Sequence, residues 1–596
     1  MTGFPLQDPE TRELTGGDLV AQSLKACGVD VAFGLHGGHL DAFLMGCENS
    51  GIKLVDTRHE TVAVQAAEAY SKVSSKIGVC FVTANSGFSN GLPGLATAMA
   101  DRSPILCITS SPPLRDAENN SLQGIIDQVV VSRPLTKFAH RMSNPEDTPR
   151  IISLAIRTAL SGAPGPVLID FPIDVLFTPV HRPLISWGSI TSPLAYPAGP
   201  HVEAVAEAVK LLKAAKRPAI IVGTGAKDAA DELIQFSATS KIPIFDNQKC
   251  STSQALLRSP FYAGSAGKLG LLRLLPGQES PDLVILLGAR TGMYLAGRTG
   301  AIIPAENCKL IHVDTDGVEI GRTLPVDVGV VSDIGQFVAA LNRTIGTTFD
   351  GAVDTAWASS ALNLRHLPSP FEADSPTLAS TGRLHPYHAL KQFFSSIEPG
   401  CIVVMDGGEA AAWAIDFMGL CQPSAILRAT GNLGFLGNGF GYALGAAVAA
   451  PGRKVINLHG DGSAGFHFME LDTYKRFNLG ILTLVVNNYC WGMSSNGQEL
   501  VYGTKNPARP VSSLSPVAEY AVVGKGLGNA SRKVERLEDI AGAVQELQTA
   551  PGPSCMDLIV SDKPIHPVTT LMVGQTEDPN MVVVPYYDNV PRALYK

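Results

Sequence analysis

Residues 454–488 read KVINLHGDGSAGFHFMELDTYKRFNLGILTLVVNN, and they indicate the architecture more directly than any other segment. KVINLHG and ILTLVVNN have the pattern of buried strands, and FHFMELDTYKRF between them has a helical pattern. A right-handed strand–helix–strand unit places its two strands parallel to each other. Asp461 and Asn488 are therefore expected at the carboxyl ends of strands, where open α/β sheets bind ligands.

The residue types at these two strand ends suit a magnesium ion and a phosphate group. Mg²⁺ prefers a few protein oxygens together with phosphate oxygens, and Asp461 and Asn488 offer a carboxylate and an amide oxygen. The glycines beside Asp461 let the backbone approach a phosphate closely, and Ser463 is expected to begin a helix whose N-terminus favours anions. A tight turn would explain the Gly-Asp-Gly segment alone, and a loop end would explain the Asn-Asn segment alone. Because the two segments follow consecutive buried strands, a metal site is favoured.

The same alternation of strand and helix patterns fills three blocks of the chain. It predicts an α/β protein with three doubly wound parallel-sheet domains at residues 15–185, 200–345 and 380–565, followed by an irregular arm at 566–596. The strand-like segments are VAFGL, IKLVDT, GVCFVTA, PILCITS and GPVLIDFP in the first block, PAIIVGTG, PIFD, DLVILLGA and CKLIHVD in the second, and CIVVMDGG with the two segments above in the third.

Composition excludes several classes of function. The chain has 596 residues and a net charge of -8, which argues against a nucleic-acid surface. The sequence has no run of 18 or more uncharged apolar residues, so no membrane span is predicted. The N-terminus has no basic segment followed by an apolar one, and the ten cysteines form no Cys-x-x-Cys pair. A cytoplasmic protein with reduced thiols is expected.

The Gly-Asp-Gly and Asn-Asn arrangement resembles the diphosphate-anchoring motif of thiamine diphosphate (ThDP) enzymes. By that resemblance, Asp461, Asn488 and the backbone carbonyl of Cys490 hold Mg²⁺ against the cofactor. The resemblance also assigns to cofactor binding Gly408, Gly462, Ser463, Asn488 and Gly492.

ThDP chemistry also needs a carboxylate at N1′ of the aminopyrimidine ring, so that the cofactor can form its C2 ylide. In the segment KLVDTRHETVAVQAAEAYSKV, a strand is followed by a short loop and a helix with Glu60 at its start. A glutamate in a first helical turn often only complements the helix dipole. In ThDP enzymes the catalytic glutamate occupies this position, so the resemblance assigns that role to Glu60.

The segment ATGNLGFLGNGFGYALGAA alternates glycine with bulky apolar residues. In ThDP enzymes the matching segment supplies a large aliphatic side chain that bends the cofactor. The resemblance places Leu436 there and turns Gly434 toward the pyrimidine ring.

From about Thr15 to Pro564 the chain resembles benzaldehyde lyase and its relatives in the acetolactate synthase and 2-hydroxyacyl-CoA lyase group. The stretches FGLHGGHLDAF, DTRHET, SLQGIIDQV, GPVLIDFPIDVL and NNYCWGM carry this resemblance. It implies that His39 and Gln123 bind the substrate oxygen and relay protons. A neutral imidazole or an amide can do this at neutral pH.

The predicted substrate pocket differs from that of benzaldehyde lyase. Ile173, Ala411, Thr430 and Met493 stand where the lyase has a tryptophan, a tyrosine, a histidine and an alanine, and His36 is a further candidate. Fewer aromatic and polar groups with an added methionine predict a more aliphatic pocket.

The resemblance implies a ThDP- and Mg²⁺-dependent enzyme that forms or cleaves 2-hydroxy ketones through an enamine intermediate, in a homodimer or homotetramer. The alternatives are a decarboxylating enzyme like acetolactate synthase, acting on 2-oxoacids, and a 2-hydroxyacyl-CoA lyase. FAD is not expected, because VGTGAKDAADE has Asp228 where the last glycine of a G-x-G-x-x-G turn would stand.

Overall fold

A computed structural model of the chain describes residues 13–190, 197–502 and 509–573, apart from residues 117, 120, 248, 250–253 and 298. It also describes the backbone at 581–582 and 592–593. These residues form two compact units. The first contains the described residues up to 190 with Thr430–Gly452 and His467–Leu479, and the second contains the remainder.

Three parallel sheets, each with six strands in the part of the chain that is described, form the framework. The first sheet, in the first unit, has the order β2-β1-β3-β4-β6-β5. Its strands are β1 (Val31–Gly34), β2 (Lys53–Asp56), β3 (Gly78–Val82), β4 (Ile105–Ser111), β5 (Phe138–Arg141) and β6 (Val167–Pro172).

The other two sheets belong to the second unit. The second sheet consists of β7 (Pro218–Val222), β8 (Ile244–Asp246), β9 (Tyr262–Ser265), β10 (Leu283–Leu287), β11 (Lys309–Asp314) and β12 (Val328–Val331), in the order β12-β11-β10-β7-β8-β9. The third consists of β13 (Ile402–Met405), β14 (Ala425–Arg428), β15 (Val455–Gly460), β16 (Ile481–Asn487), β17 (Ala530–Val534) and β18 (Ser554–Ile559), in the order β14-β13-β15-β16-β18-β17.

Helices follow most strands. The longer ones are Gly16–Ala26, Asp41–Asn49, Glu60–Ser74, Ser86–Ala100, Thr148–Leu160, Val202–Ala214, Ala230–Ser240, Ile334–Ile345, Thr355–Asn363, Pro386–Ser396, Gly439–Ala449, Gly492–Tyr502 and Leu537–Thr549. The shorter ones are Gln128–Ser132, Ile173–Phe177, Gln254–Arg258, Ala266–Leu269, Glu409–Ile415, Asp461–His467, Glu470–Arg476, Tyr520–Gly526 and Pro567–Val573.

Each sheet buries apolar side chains on its faces. In the second sheet, Ile220 and Ile285 belong to one apolar cluster, while their neighbours Ile221 and Leu286 belong to another. Successive residues of a strand point to opposite faces, so this sheet is covered on both sides. The predicted α/β fold with three parallel sheets is confirmed.

The strand–helix–strand geometry at residues 454–488 is also as predicted, with two differences in its helical part. β15 and β16 are parallel neighbours, with Gly460 paired to Val486. The predicted single helix is two helices, Asp461–His467 and Glu470–Arg476, and the first begins two residues before the expected start at Ser463.

Among the described strands of the three parallel sheets, six were not anticipated from sequence: β5, β9, β12, β14, β17 and β18. The first five lie at sheet edges, where one side has no neighbouring strand and the residues stay partly exposed, so their apolar runs are short and mixed. A further antiparallel pair, Met581–Val582 with Arg592–Ala593, was not anticipated either. The predicted domain boundaries stay predictions. The predicted arm at 566–596 starts with the helix Pro567–Val573, and most of its remainder lies outside the described residues. Within the described part, no helix is long and apolar enough to span a membrane.

Candidate cofactor and active site

Asp461 and Asn488 follow the ends of two adjacent strands of the third sheet. β15 ends at Gly460 and β16 at Asn487, so both side chains start from the same edge, at the carboxyl ends of the strands. Asp461 Oδ1 accepts a hydrogen bond from the backbone N–H of Gly462 (2.9 Å), whereas Oδ2 is buried without a hydrogen-bond partner. A buried carboxylate oxygen without a partner is costly unless it binds a ligand.

A bound cation would stabilise the charged form of Asp461, which burial disfavours. Burial raises its pKa to about 7, although backbone N–H groups of Gly462, Tyr489 and Cys490 oppose that rise. Tyr489 and Cys490 belong to the loop after β16, which therefore lies beside the Asp461 carboxylate. Asn488 Oδ1 accepts a hydrogen bond from the Cys490 N–H (3.2 Å). Among the described residues no cluster of three or more His, Cys, Asp or Glu could hold a metal, so a cation here would rely on amide and carbonyl oxygens.

Glycines let backbone segments meet closely around this edge of the sheet. A Cβ on Gly462 would lie 2.7 Å from the Trp491 ring, and one on Gly408 would lie 3.0 Å from Cβ of Met493. Gly407 has a φ of +104°, which favours glycine. The structure therefore brings together Gly408 and Met493, which were predicted separately.

Ser463 has buried partners that sequence reasoning missed. Its hydroxyl donates to the carbonyl of Gly460 (3.1 Å), and Nδ1 of His459 lies 3.3 Å from the same Oγ. His459 is also 3.7 Å from a carboxylate oxygen of Asp406, and both side chains are fully buried. The sequence signal for these partners was a polar residue at the end of each of two adjacent strands, His459 in LHG and Asp406 in VMDG.

Glu409 is a second residue that sequence reasoning missed. It begins the helix Glu409–Ile415, directly after Gly408, and is only 6% exposed. Burial raises the pKa of its carboxyl group. A carboxylate after a glycine pair at a strand end could have been recognised in CIVVMDGGEAAAW.

In the first unit, Glu60 begins the helix Glu60–Ser74, as predicted, and is 6% exposed. Its Oε2 accepts a hydrogen bond from Nδ2 of Asn90 (3.1 Å), and Oε1 lies 3.3 Å from the position of a Cβ on Gly87. Both partners belong to the first turns of helix Ser86–Ala100. Neither was predicted, although the polar segment TANSGFSNG after β3 was a signal.

His39 and Gln123 meet at the start of the same helix. Gln123 makes a side-chain hydrogen bond with His39 and donates from Nε2 to Ser86 Oγ (3.0 Å). Burial lowers the pKa of His39, partly offset by this hydrogen bond, so the imidazole is neutral at pH 7. Gln123 has a φ of +61°, and the loop is held by the Ile126 N–H, which donates to Asn85 Oδ1 (2.7 Å). The structure thus joins two residues that were predicted from separate motifs.

The remaining predicted pocket residues have diverse surroundings. His36 is 71% exposed and lies 2.9 Å from Asp41. Ile173 is partly exposed at the end of β6, whereas Thr430 is 7% exposed. Ala411 is 1% exposed and belongs to an apolar core cluster of the second unit. Their role in binding substrate stays a prediction.

Gly434 and Leu436 lie in the turn before helix Gly439–Ala449. Gly434 has a φ of +71° with open space beside it, and Leu436 is partly exposed. In the same turn the Phe435 N–H donates to the Thr430 carbonyl (3.1 Å).

Three protein-family models match most of the chain. Residues 14–131 match the N-terminal TPP binding domain of thiamine pyrophosphate enzymes, residues 205–341 match the central domain, and residues 406–558 match the C-terminal TPP binding domain. The chain belongs to the thiamine pyrophosphate enzyme family. Thiamine pyrophosphate is another name for ThDP.

Several acetolactate synthases are similar to this chain over most of their length. A probable acetolactate synthase of Mycobacterium bovis and an acetolactate synthase large subunit of Mycobacterium tuberculosis are each 30% identical over 568 residues, which cover 92% of this chain and 96% of theirs. A chloroplastic acetolactate synthase of Brassica napus is 29% identical over 558 residues, which cover 91% of this chain and 85% of the relative. The finer resemblance to benzaldehyde lyase stays a prediction.

The residues of the second unit fit a ThDP diphosphate with a divalent cation. The unpartnered Oδ2 of Asp461 offers a ligand, and the close backbone contacts at Gly408 and Gly462 leave no room for larger side chains. Hard oxygen donors of this kind suit Mg²⁺.

Proposed function

We propose that this ThDP enzyme forms or cleaves the carbon–carbon bond of 2-hydroxy ketones, with aldehydes or related acyl donors as substrates. The observation that carries the proposal is the hydrogen-bonded series His39, Gln123 and Ser86. Ser86 belongs to the same helix N-terminus as Asn90, the hydrogen-bond donor to Glu60. Proton-relay groups and the carboxylate that acts on the cofactor are thus supported by one structural element.

Bound ThDP supplies a carbon nucleophile and stabilises the negative charge that develops on the substrate carbon. Glu60 holds a proton at the pyrimidine nitrogen, and Asn90 fixes the direction of its carboxylate. Asp461, Asn488 and the carbonyl of Cys490 would hold Mg²⁺, and Gly462 and Ser463 would bind the diphosphate. Neutral His39 accepts or returns the proton of the substrate hydroxyl group, and Gln123 keeps the imidazole oriented.

A second candidate is a decarboxylating condensation of 2-oxoacids. The relatives named acetolactate synthase favour it, since they match 92% of this chain. A 2-hydroxyacyl-CoA lyase is a further alternative within the same chemistry. We also propose a homodimer or homotetramer and a cytoplasmic location, without nucleic-acid or membrane partners.

Product analysis separates these candidates. Purified protein with ThDP and Mg²⁺ is given aldehyde, 2-oxoacid or 2-hydroxyacyl-CoA donors separately, and products are identified by mass spectrometry. We expect acyloin from aldehydes without release of CO₂. Product from a 2-oxoacid alone, with CO₂ released, would transfer the chain to the second candidate.

A further inference from the structure

Glu409 is a buried acid that the proposed mechanism does not use. It lies at the start of helix Glu409–Ile415, next to the Gly407–Gly408 turn that follows β13. A carboxylate with 6% exposure costs free energy unless several donors surround it. The hydrogen-bond donors to the Glu409 carboxylate therefore indicate its structural role.

Three donors from two other segments converge on the Glu409 carboxylate. The Thr569 hydroxyl donates to Oε1 (2.6 Å), and Nδ2 of Asn496 donates to Oε2 (2.8 Å). The backbone N–H of His566 is the third donor. Asn496 lies on helix Gly492–Tyr502, whereas His566 and Thr569 lie at the start of helix Pro567–Val573.

The first of these segments starts at the proposed cofactor site. A Cβ on Gly492 would lie 2.8 Å from Nδ2 of Asn488 and 3.2 Å from Oε2 of Glu409. The next residue, Met493, packs against Gly408. Helix Gly492–Tyr502 therefore begins between the amide of a proposed metal ligand and the Glu409 carboxylate.

The second segment is buried where it meets Glu409 and the helix that Glu409 begins. Thr569 is fully buried and His566 is 8% exposed, and the His566 ring lies 4.7 Å from the Trp413 ring, on the helix that Glu409 begins. Nδ1 of His566 accepts from the Val568 N–H (3.1 Å), which caps the short helix. One acid thus connects the Gly407–Gly408 turn with two helices that are distant in sequence.

We propose that Glu409 is a positioning residue that fastens helices Gly492–Tyr502 and Pro567–Val573 to the Gly407–Gly408 turn, beside the bound ThDP diphosphate. This inference rests on the proposed metal site for its functional meaning. An ionised carboxylate accepts from all three donors at once. Glutamine has the same shape, but its NH₂ group would face a donor, so at least one hydrogen bond is lost.

Hydrogen–deuterium exchange measured by mass spectrometry tests the contact without any need for activity. The variants are Glu409→Gln, Thr569→Val and their combination, each compared with the wild-type full-length chain without cofactor and with ThDP and Mg²⁺. Thr569→Val keeps the shape of the side chain and leaves Glu409 in place, so it tests the same contact if Glu409→Gln fails to fold. The exposed Glu398, changed to glutamine, is the matched control.

We expect peptides covering residues 561–573 to exchange about tenfold faster in either single variant, with no further increase in the double variant. Peptides covering β4 should not change, and the control should match the wild type. Unchanged exchange at 561–573 in both single variants, or strictly additive effects, would overturn the proposal. If no carbon–carbon product forms with any donor, the proposed function fails while this exchange result still decides the role of Glu409.

Discussion

The Nζ atom of Lys72 lies 3.0 Å from Oδ2 of Asp101, and Oδ1 of the same carboxylate accepts a hydrogen bond from the backbone N–H of Asn432 (2.6 Å). Lys72 also contacts Glu68 (2.8 Å) and donates to the hydroxyl of Tyr442 (2.7 Å). These contacts fix the turn after β14, which carries Gly434 and Leu436, to the helix that begins with Glu60.

Replacing Asp101 with asparagine should destabilise the first unit and loosen this turn. The lysine and aspartate side chains are 13% and 9% exposed, so Lys72 would keep a buried charge that Glu68 still balances but Asp101 no longer does. We expect a loss of about 2–4 kcal/mol in the free energy of unfolding, measured by urea denaturation. The exposed pair Lys25–Asp30 gives the control, and Asp30→Asn should cost less than about 1 kcal/mol. Equal losses of stability in Asp101→Asn and Asp30→Asn would contradict a stabilising role for the buried Lys72–Asp101 ion pair.

Replacing Glu60 with glutamine should lower kcat by about 10²–10⁴-fold, because the carboxylate that exchanges a proton with the cofactor is lost. Asn90→Ala should lower kcat less, about tenfold, because the carboxylate remains but loses its donor. Turnover and ThDP binding by fluorescence titration check both. The exposed Glu48, changed to glutamine, is the control. Full turnover in Glu60→Gln would exclude a catalytic role for this residue.

His39 and Gln123 should act as a unit. We expect His39→Ala and Gln123→Ala each to reduce kcat by about 10–100-fold. The kcat of the double variant should be no lower than that of the less active single variant. Because the pKa of His39 lies below its usual 6.5, loss of activity through its protonation should occur only below pH 6.5. Steady-state kinetics between pH 5.5 and 8 measure this, with the exposed His181→Ala as control. Additive losses would show that the two side chains act independently.

Glu470 should make the stability of the first unit depend on pH. Burial raises its pKa to about 7, against the donors Thr473 and the N–H of Arg58. A raised native pKa means that the unfolded carboxyl ionises first, so its contribution to stability is complete below about pH 4.5 and is lost as pH rises to about 7.

In Glu470→Gln this part of the pH dependence, roughly 3 kcal/mol, should disappear. Urea denaturation at several pH values from 4.5 to 7.5 measures it, and Glu48→Gln should keep the wild-type slope. A Glu470→Gln curve parallel to the wild type would contradict the raised pKa.

Adding a methyl group at Gly492 should weaken cofactor binding. The new Cβ would lie 2.8 Å from Nδ2 of Asn488, so the proposed metal ligand must move. We expect at least about tenfold weaker ThDP and Mg²⁺ binding by calorimetry. Gly465→Ala, which meets no atom within 4 Å, is the control. Unaltered affinity in Gly492→Ala would separate Asn488 from the metal.

The predictable part of the site consists of residues fixed by strand ends. Asp461 and Asn488 follow apolar runs long enough to be recognised, and Glu60 follows a clear strand with a helix after it. Such positions depend on local pattern and on the parallel arrangement of neighbouring strands. The edge strand β17 escaped prediction for the converse reason, since only its last residue, Val534, is buried.

The hydrogen-bond partners of Asn90, Ser86 and Glu409 could not be assigned from the sequence, because each partner is distant along the chain. Asn90 reaches Glu60 across 30 positions, and Thr569 reaches Glu409 across 160. No periodicity encodes such pairs, since they arise only when separate elements pack together.

The sequence by itself determined the three parallel α/β sheets and the strand ends that carry Asp461, Asn488 and Glu60, because apolar periodicity specifies which segments are buried. Only the tertiary structure decided which side chains become partners. The neutral state of His39, the unpartnered oxygen of Asp461 and the three donors around Glu409 depend on burial and hydrogen bonding between segments far apart in the chain.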